Sequence, residues 1–234
     1  MNTSDILDVV SDHRLIVAID GPSGAGKGTV ARELAKRLNY RHVDTGAMYR
    51  AVAWKAVHDR LNLDDEDAVA DVAEHAALTV AYGLVVIDGY DVTTTIRTPE
   101  IDRASAATAR LPKVRAALVA RQRKEGHGGG VVMEGRDIGS VVFPNADVKI
   151  YLDASPEERA RRRAADPAHG LSRAAAASDV ASELEARDRS DRTRATSPLK
   201  IAPDAVKVDT TTLSIDETVE RVLEIIQQVS GARA

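Results

Sequence analysis

The sequence predicts an α/β fold in three layers: a five-stranded parallel sheet with helices on both faces and a small three-stranded antiparallel sheet inserted into it. Three observations carry this expectation. Short apolar runs at 15–20, 40–43, 130–133, 147–152 and 205–208 stand singly between helical patterns, and strands separated by helices pair in parallel. Residues 78–96 break the alternation with three short β-like runs joined by tight turns, as an antiparallel sheet requires. The first apolar run empties into a glycine-rich turn that opens a helix, and such sheets bind ligands at the carboxyl ends of their strands.

That first unit, Leu15–Thr29, reads LIVAIDGPSGAGKGT. A β-branched run stops at Asp20, the turn spans Gly21–Gly26, and Lys27 starts a helix with Val30, Ala31, Leu34 and Leu38 on one face. The spacing from Gly21 to Lys27 is G-x-x-x-x-G-K. Glycines let consecutive N–H groups point inward at a phosphate, and the helix N-terminus adds partial positive charge. Lys27 brings a full charge to the β- and γ-phosphate positions. A plain strand-to-helix turn is the alternative, but strand, helix and lysine offset agree against it. Gly28 stands where Ser or Thr is usual, and the hydroxyl follows at Thr29.

The remaining elements follow in order. Residues 1–13 read as a flexible leader with a helical turn at Ile6–Val10. Tyr40–Val43 is a strand ending in Asp44-Thr45-Gly46, and a helix runs from there to His58. Asp64–Ala77 is a helix with an acidic start. Leu78–Ala81, Leu84–Ile87 and Asp91–Ile96 are the three short strands, with Asp88-Gly89 as a hairpin turn. Helices follow to Thr108 and, from Leu111-Pro112, to Gln122. Gly126–Gly130 is a flexible break before the strand at Val131. Val148–Leu152 ends at Asp153. Ser155-Pro156-Glu157-Glu158 is a strong helix start, with Ser as N-cap and Pro at the first position. The helix beyond it is arginine-rich, Arg173–Arg187 is alanine-rich and helical, and Ser214 with Glu217 repeats the capping box before a helix to Val229. Asp20, Asp44, Glu134 and Asp153 all fall at strand ends.

Composition excludes several classes. Hydrophobic residues make up 44% of 234 positions and charged residues 29%, a balance that builds an ordinary globular core. Zero cysteines exclude disulfides, thiolate zinc sites and cysteine nucleophiles. A net charge of −4 argues against a nucleic-acid-coating surface. No stretch approaches the roughly 18 apolar residues of a membrane span, and the acidic N-terminus is not a signal peptide. The expectation is a cytoplasmic protein.

GPSGAGKGT, DTGAMYR, IRTPE, EGRDIGSVVFP, KIYLDAS and RDRSDRTRATSPL, in this order and spacing, resemble the bacterial cytidylate kinases, nucleoside monophosphate kinases of the P-loop NTPase fold. The resemblance covers residues 14–228. It implies transfer of the γ-phosphate of ATP to CMP or dCMP, with Mg2+ as cofactor and small nucleotides as the partners. These kinases write their loop G-K-G-T, so Gly28 and Thr29 agree with the match. It further implies a core of 14–60 and 110–230, an inserted monophosphate-binding region at 61–109, and a lid at 155–185.

Phosphoryl transfer needs positioning and charge neutralisation rather than covalent chemistry. Gly21, Pro22, Ser23, Gly24, Ala25, Gly26, Lys27, Gly28 and Thr29 are assigned to ATP, with Thr29 helping to hold magnesium, partly through water. The resemblance places Asp44, Thr45, Gly46, Tyr49 and Arg50 around the acceptor, Arg50 and Tyr49 nearest its phosphate; a cap followed by surface residues is the alternative. It assigns Arg115 to the acceptor base, Arg97 to its neighbourhood and Arg187 to the transferring phosphate. The serine that contacts the nucleotide in relatives aligns between Ser105 and Ala106.

Arg136 suits the acceptor phosphate through its fork geometry. Asp137 orients the acceptor or holds Arg136. Arg159, Arg162 and Arg163 share one helix face and, by resemblance, form the lid that excludes water; a solvated basic face is the alternative. Asp191 can accept from the cytosine N4 amino group, while Arg194 and Arg115 donate to O2 and N3; a charged helix end laced with ion pairs is the alternative. Lys27, Arg136, Asp137, Arg159, Arg163 and Arg187 form the candidate catalytic set.

Other classes remain to be weighed. A P-loop kinase for UMP or AMP is the runner-up. A GTP switch would need N-K-x-D, which does not occur. A nucleic-acid module has only dispersed arginine clusters in its favour, offset by 36 acidic residues. The protein is expected to be a monomer.

Overall fold

The computed structural model describes residues 14–81, 83–166 and 177–231. The expected leader and the middle of the expected lid, with the start of the alanine-rich helix, lie outside the described residues. The parallel strands are β1 (Ile16–Asp20), β2 (Arg41–Asp44), β6 (Val131–Gly135), β7 (Val148–Asp153) and β8 (Val206–Asp209). They are ordered β2-β6-β1-β7-β8. All five start and end within two residues of the sequence expectation.

Period-two alternation decides which face each residue covers. Val17 and Ile19 of β1 pack with α1 (Lys27–Leu38) and α8 (Ile215–Gly231), joined by Leu34, Val222 and Ile226. Ala18 faces the other way, with Val43 and Met133, against α2 (Thr45–His58), α3 (Glu66–His75) and α5 (Pro112–Gly126). Full burial of each such Leu or Ile contributes roughly 1.5–3 kcal/mol. With 3% aromatic residues, these aliphatic layers are what holds the sheet.

The small sheet runs β3 (Leu78–Ala81), β4 (Leu84–Ile87), β5 (Tyr90–Asp91), all antiparallel. Asp88 (φ 48°) and Gly89 (φ 82°) make the expected tight turn. One expectation fails here: Asp91–Ile96 is not a strand. After Val92 N donates to Val85 O at 2.9 Å, Asp91 Oδ1 accepts from Thr93 N at 3.0 Å. That local bond competes with the ladder, and the chain turns into a 3-10 helix, Thr95–Arg97, burying Ile96. Ile96, Ile101, Val85 and Ile87 pack on Ala47 and Ala51 of α2, which seats the small sheet and α4 (Pro99–Thr108) beside the main sheet. Two further elements are α6 (Pro156–Ala165) and α7 (Ala177–Thr193), the latter six residues longer than expected at its C-terminal end. A π-helical turn, Ile138–Val142, follows β6 where the sequence suggested no element.

Candidate active site

At the carboxyl ends of β1, β2 and β6 lies a cavity of about 1170 Å³. The sequence puts acids at four strand ends, and the structure gives them different work. Asp44 and Glu134 line the cavity. Asp20 is buried beneath it and accepts from Ile138 N and Gly139 N, both at 2.8 Å; burial pushes its carboxyl up to about 6. Asp153 turns to Lys207, 3.0 Å away.

One wall is the loop after β1. Gly21 sits at φ 151°, where an added Cβ would be 2.1 Å from Leu152 O, so only glycine fits against β7. Gly26 caps α1 in the left-handed region, at φ 87°. Lys27 is buried and donates to Pro22 O at 2.7 Å. Burial, then the charge of Arg136, lowers its ammonium to about 7. Gly28 now has a physical reason: a Cβ there would lie 2.8 Å from Glu134 Oε1, so the usual hydroxyl-bearing residue would push that carboxylate aside. Thr29 is exposed and lines the cavity.

The opposite wall is a lattice of arginines on carboxylates. Arg115, 2% exposed, pairs with Asp137 and lies 5.4 Å over the Tyr49 ring. Arg194 lies 3.7 Å from Asp137 and 3.5 Å from Asp191. Arg136 Nε donates to Asp191 Oδ2 at 3.0 Å, and its Nη2 donates to Ser23 Oγ at 2.8 Å. Asp137 therefore holds Arg115 and Arg194 rather than Arg136, which corrects one of the two roles expected for it. Burial would raise the Asp191 carboxyl, but Arg136, Arg187 and Arg194 outweigh it and hold it below the usual range. Tyr49 is buried enough that its phenol is pushed up to about 12.

The three arginines of α6 do not converge on one anion, and they are not a solvated face. Arg159 is buried, donates to Ser23 O at 3.0 Å and pairs with Asp188. Arg162 binds Glu158 Oε1 at 2.7 Å and Thr210 O at 2.6 Å. Arg163 pairs with Asp102. Each has its own protein partner.

Among the acceptor candidates, Asp44 caps α2 by accepting from Ala47 N at 2.9 Å. Thr45 Oγ1 donates to Glu134 O at 2.7 Å. A Cβ on Gly46 would lie 3.1 Å from Arg50 Nη1. Arg97, Ser105, Ala106 and Arg187 line the cavity with them; of the two positions at the aligned serine, only Ser105 carries a hydroxyl.

Two acids escaped the sequence reading. Asp188 is 1% exposed and accepts from Ser23 N at 3.0 Å, tying the loop to α7 and to Arg159. Among the described residues, Asp102 takes three arginines: Arg50 Nε at 3.0 Å, Arg187 Nη1 at 3.1 Å and Arg163. An acid in the first turn of a helix is ordinary dipole complementation, so Asp102 carries no local signal. Asp188 could have been found as the acid inside an otherwise basic run, Arg187–Arg189.

No cluster of three His, Asp or Glu side chains able to hold a metal occurs among the described residues. Mg2+ is held by one or two carboxylates plus substrate phosphates, and the Thr29 hydroxyl and Glu134 carboxylate on the cavity wall fit that need.

The family model for cytidylate kinase matches residues 17–228. A protein named cytidylate kinase from Solibacter usitatus is 47% identical over 92% of this chain and 93% of its own. One of the same name from a Geobacillus species is 46% identical over 94% and 99%. A solved shikimate kinase from Acinetobacter baumannii aligns with 94% of this chain and 97% of its own at 14% identity, with a TM-score of 0.47. A match that runs from β1 into α8 at this identity has one meaning: the chain belongs to the cytidylate kinase family.

Proposed function

We propose that the protein transfers the γ-phosphate of ATP to CMP or dCMP, giving CDP or dCDP and ADP. The observation that carries this is the pairing, in one cavity, of the loop around Lys27 with the carboxylate-docked arginines opposite it. Lys27 and the loop amides from Gly24 to Gly28 hold the donor phosphates, the Ser23 amide being already taken by Asp188. Thr29 and Glu134 line the cavity and would hold Mg2+, which would supply charge neutralisation for the transfer. Arg50, Arg136 and Arg187 grip the acceptor and transferring phosphates. Arg136 also touches Ser23, so acceptor binding is felt in the donor loop. No general base is needed, because the attacking phosphate oxygen is already largely ionised.

Cytosine is read by Asp191, Arg115 and Arg194. Arg115 and Arg194 line the cavity, and a guanidinium has donors only. Buried donors favour acceptors, and O2 and N3 of the base provide them. A carboxylate has about four lone-pair sites, so Asp191 keeps capacity for the N4 amino group. Uracil would face it with O4 instead. Residues 61–109 form the acceptor-binding region and 155–185 the lid that excludes water. The protein acts as a monomer in the cytoplasm; among the described residues no helix is long and apolar enough to cross a membrane.

Initial-rate assays with ATP·Mg2+ and a panel of CMP, dCMP, UMP and AMP test the proposal. Turnover highest with CMP or dCMP is expected. Equal or greater turnover of UMP or AMP overturns it in favour of another small-molecule kinase.

A further inference from the structure

We propose that Asp102 is a positioning residue for phosphoryl transfer, setting Arg50, Arg163 and Arg187 at the spacing a phosphoryl group requires. This rests on the kinase reading above. The three arginines come from α2, α6 and α7, and Asp102 comes from α4, so four separate helices meet on one carboxylate. Oδ1 accepts from Arg50 Nε at 3.0 Å and Arg187 Nη1 at 3.1 Å, and Oδ2 pairs with Arg163. The Asp102 side chain is 15% exposed. Arg50, Arg163 and Arg187 all line the nucleotide cavity.

Three guanidinium groups this close repel one another, and without a shared anion they would splay apart. These four side chains, counted by themselves, keep two positive charges among the described residues. A phosphate group at neutral pH carries about −1.5 to −2, so the remaining charge suits one phosphoryl. Each guanidinium has five N–H donors and contributes to Asp102 from one nitrogen, which leaves N–H groups for the cavity. Asp102 is better placed to organise the arginines than to compete with a phosphate for them. If displaced, it would be a buried carboxylate stripped of these arginines, and that is costly.

The test compares kcat and KM for CMP and ATP in the wild type, Asp102→Asn and Asp102→Glu, alongside thermal melting. Misplacing reacting groups by about 1 Å can cost a hundredfold in rate. Asp102→Asn is expected to lose on the order of 100-fold in kcat, with KM for ATP unchanged. Asp102→Glu keeps the charge one methylene further out and should fall between the two, at about tenfold below the wild type, with its melting temperature retained. Three results overturn the inference: Asp102→Asn within threefold of the wild type, Asp102→Glu at the wild-type rate, or a fall in KM for CMP, which marks Asp102 as a competitor. If Asp102→Asn does not fold, the charged Asp102→Glu decides alone. Failure of the kinase reading itself shows separately, as a wild type that does not turn over CMP.

Discussion

The two walls of the cavity recognise phosphate in opposite ways. The donor wall is contiguous in sequence and made of backbone: Gly21 and Gly26 at positive φ, amides at a helix start, and a single lysine. The acceptor wall is made of side chains gathered from five elements, with Arg50, Arg115, Arg136, Arg187 and Arg194 each docked on Asp102, Asp137 or Asp191. A backbone cradle fixes its geometry through φ and ψ, and it reads phosphate without reading what the phosphate is attached to. A lattice of ion pairs can also read a base, but its geometry depends on every member. Damage to the first should be local and nearly complete. Damage to the second should spread, and should change selectivity.

The largest effect is therefore expected at the donor wall. Lys27→Ala removes its only formal charge and should lower kcat by about 10³-fold. Stability should not fall, because a buried ammonium shifted down to about 7 is a cost to the folded state. Steady-state kinetics with a thermal melt checks both. At the acceptor wall, Arg136→Lys keeps the charge but not the fork that reaches Asp191 and Ser23 together. A loss of about 30-fold in kcat/KM is expected. An Arg136→Lys enzyme as active as the wild type would mean that this wall, too, needs only point charge.

The same contrast explains what the sequence could show. Leu15–Thr29 carries its whole pattern within contiguous residues, so its strand, turn and helix were legible, as were all five parallel strands. The acceptor lattice was legible in its members but not in its pairings. Asp137 pairs across 22 residues to Arg115 and Arg136 across 55 to Asp191, distances over which no local pattern operates. Asp102 was invisible because its helix position already gave an acid a reason to be there. Asp91–Ile96 misled for the opposite reason: β-branched composition suggested a strand, and one Asp–Thr side-chain bond ended it.

A smaller, selective effect is expected at Asp191. Asp191→Asn keeps the shape, loses the charge that holds Arg136 and Arg194, and presents an amide where the N4 amino group needs an acceptor. Loss of one base contact is worth about 1–3 kcal/mol, so KM for CMP should rise about tenfold or more while KM for ATP stays within twofold. Discrimination against UMP should shrink with it. Equal loss for ATP and CMP would remove Asp191 from base recognition and leave it only as a support for Arg136.

The subtlest effect returns to Lys27. In the free protein its ammonium is lowered to about 7, first by burial and then by Arg136, so at pH 8 most molecules carry a neutral amine. The phosphates of ATP favour the charged form. The ATP-bound state therefore holds more protons than the free state above pH 7, and affinity must fall as pH rises. One pH unit above the free pKa leaves about a tenth of the amine protonated, so binding at pH 8 should take up close to one proton per ATP. Titration calorimetry in buffers of different ionisation enthalpy measures that uptake directly. The nucleotide's own phosphates also titrate near pH 6, so Lys27→Arg, charged at every accessible pH, is the reference. The wild-type uptake in excess of that seen with the Lys27→Arg variant belongs to Lys27. If the two proteins take up equal numbers of protons at pH 8, the lysine is already charged before ATP arrives, and the donor wall recognises phosphate with a fixed cation, as the acceptor wall does.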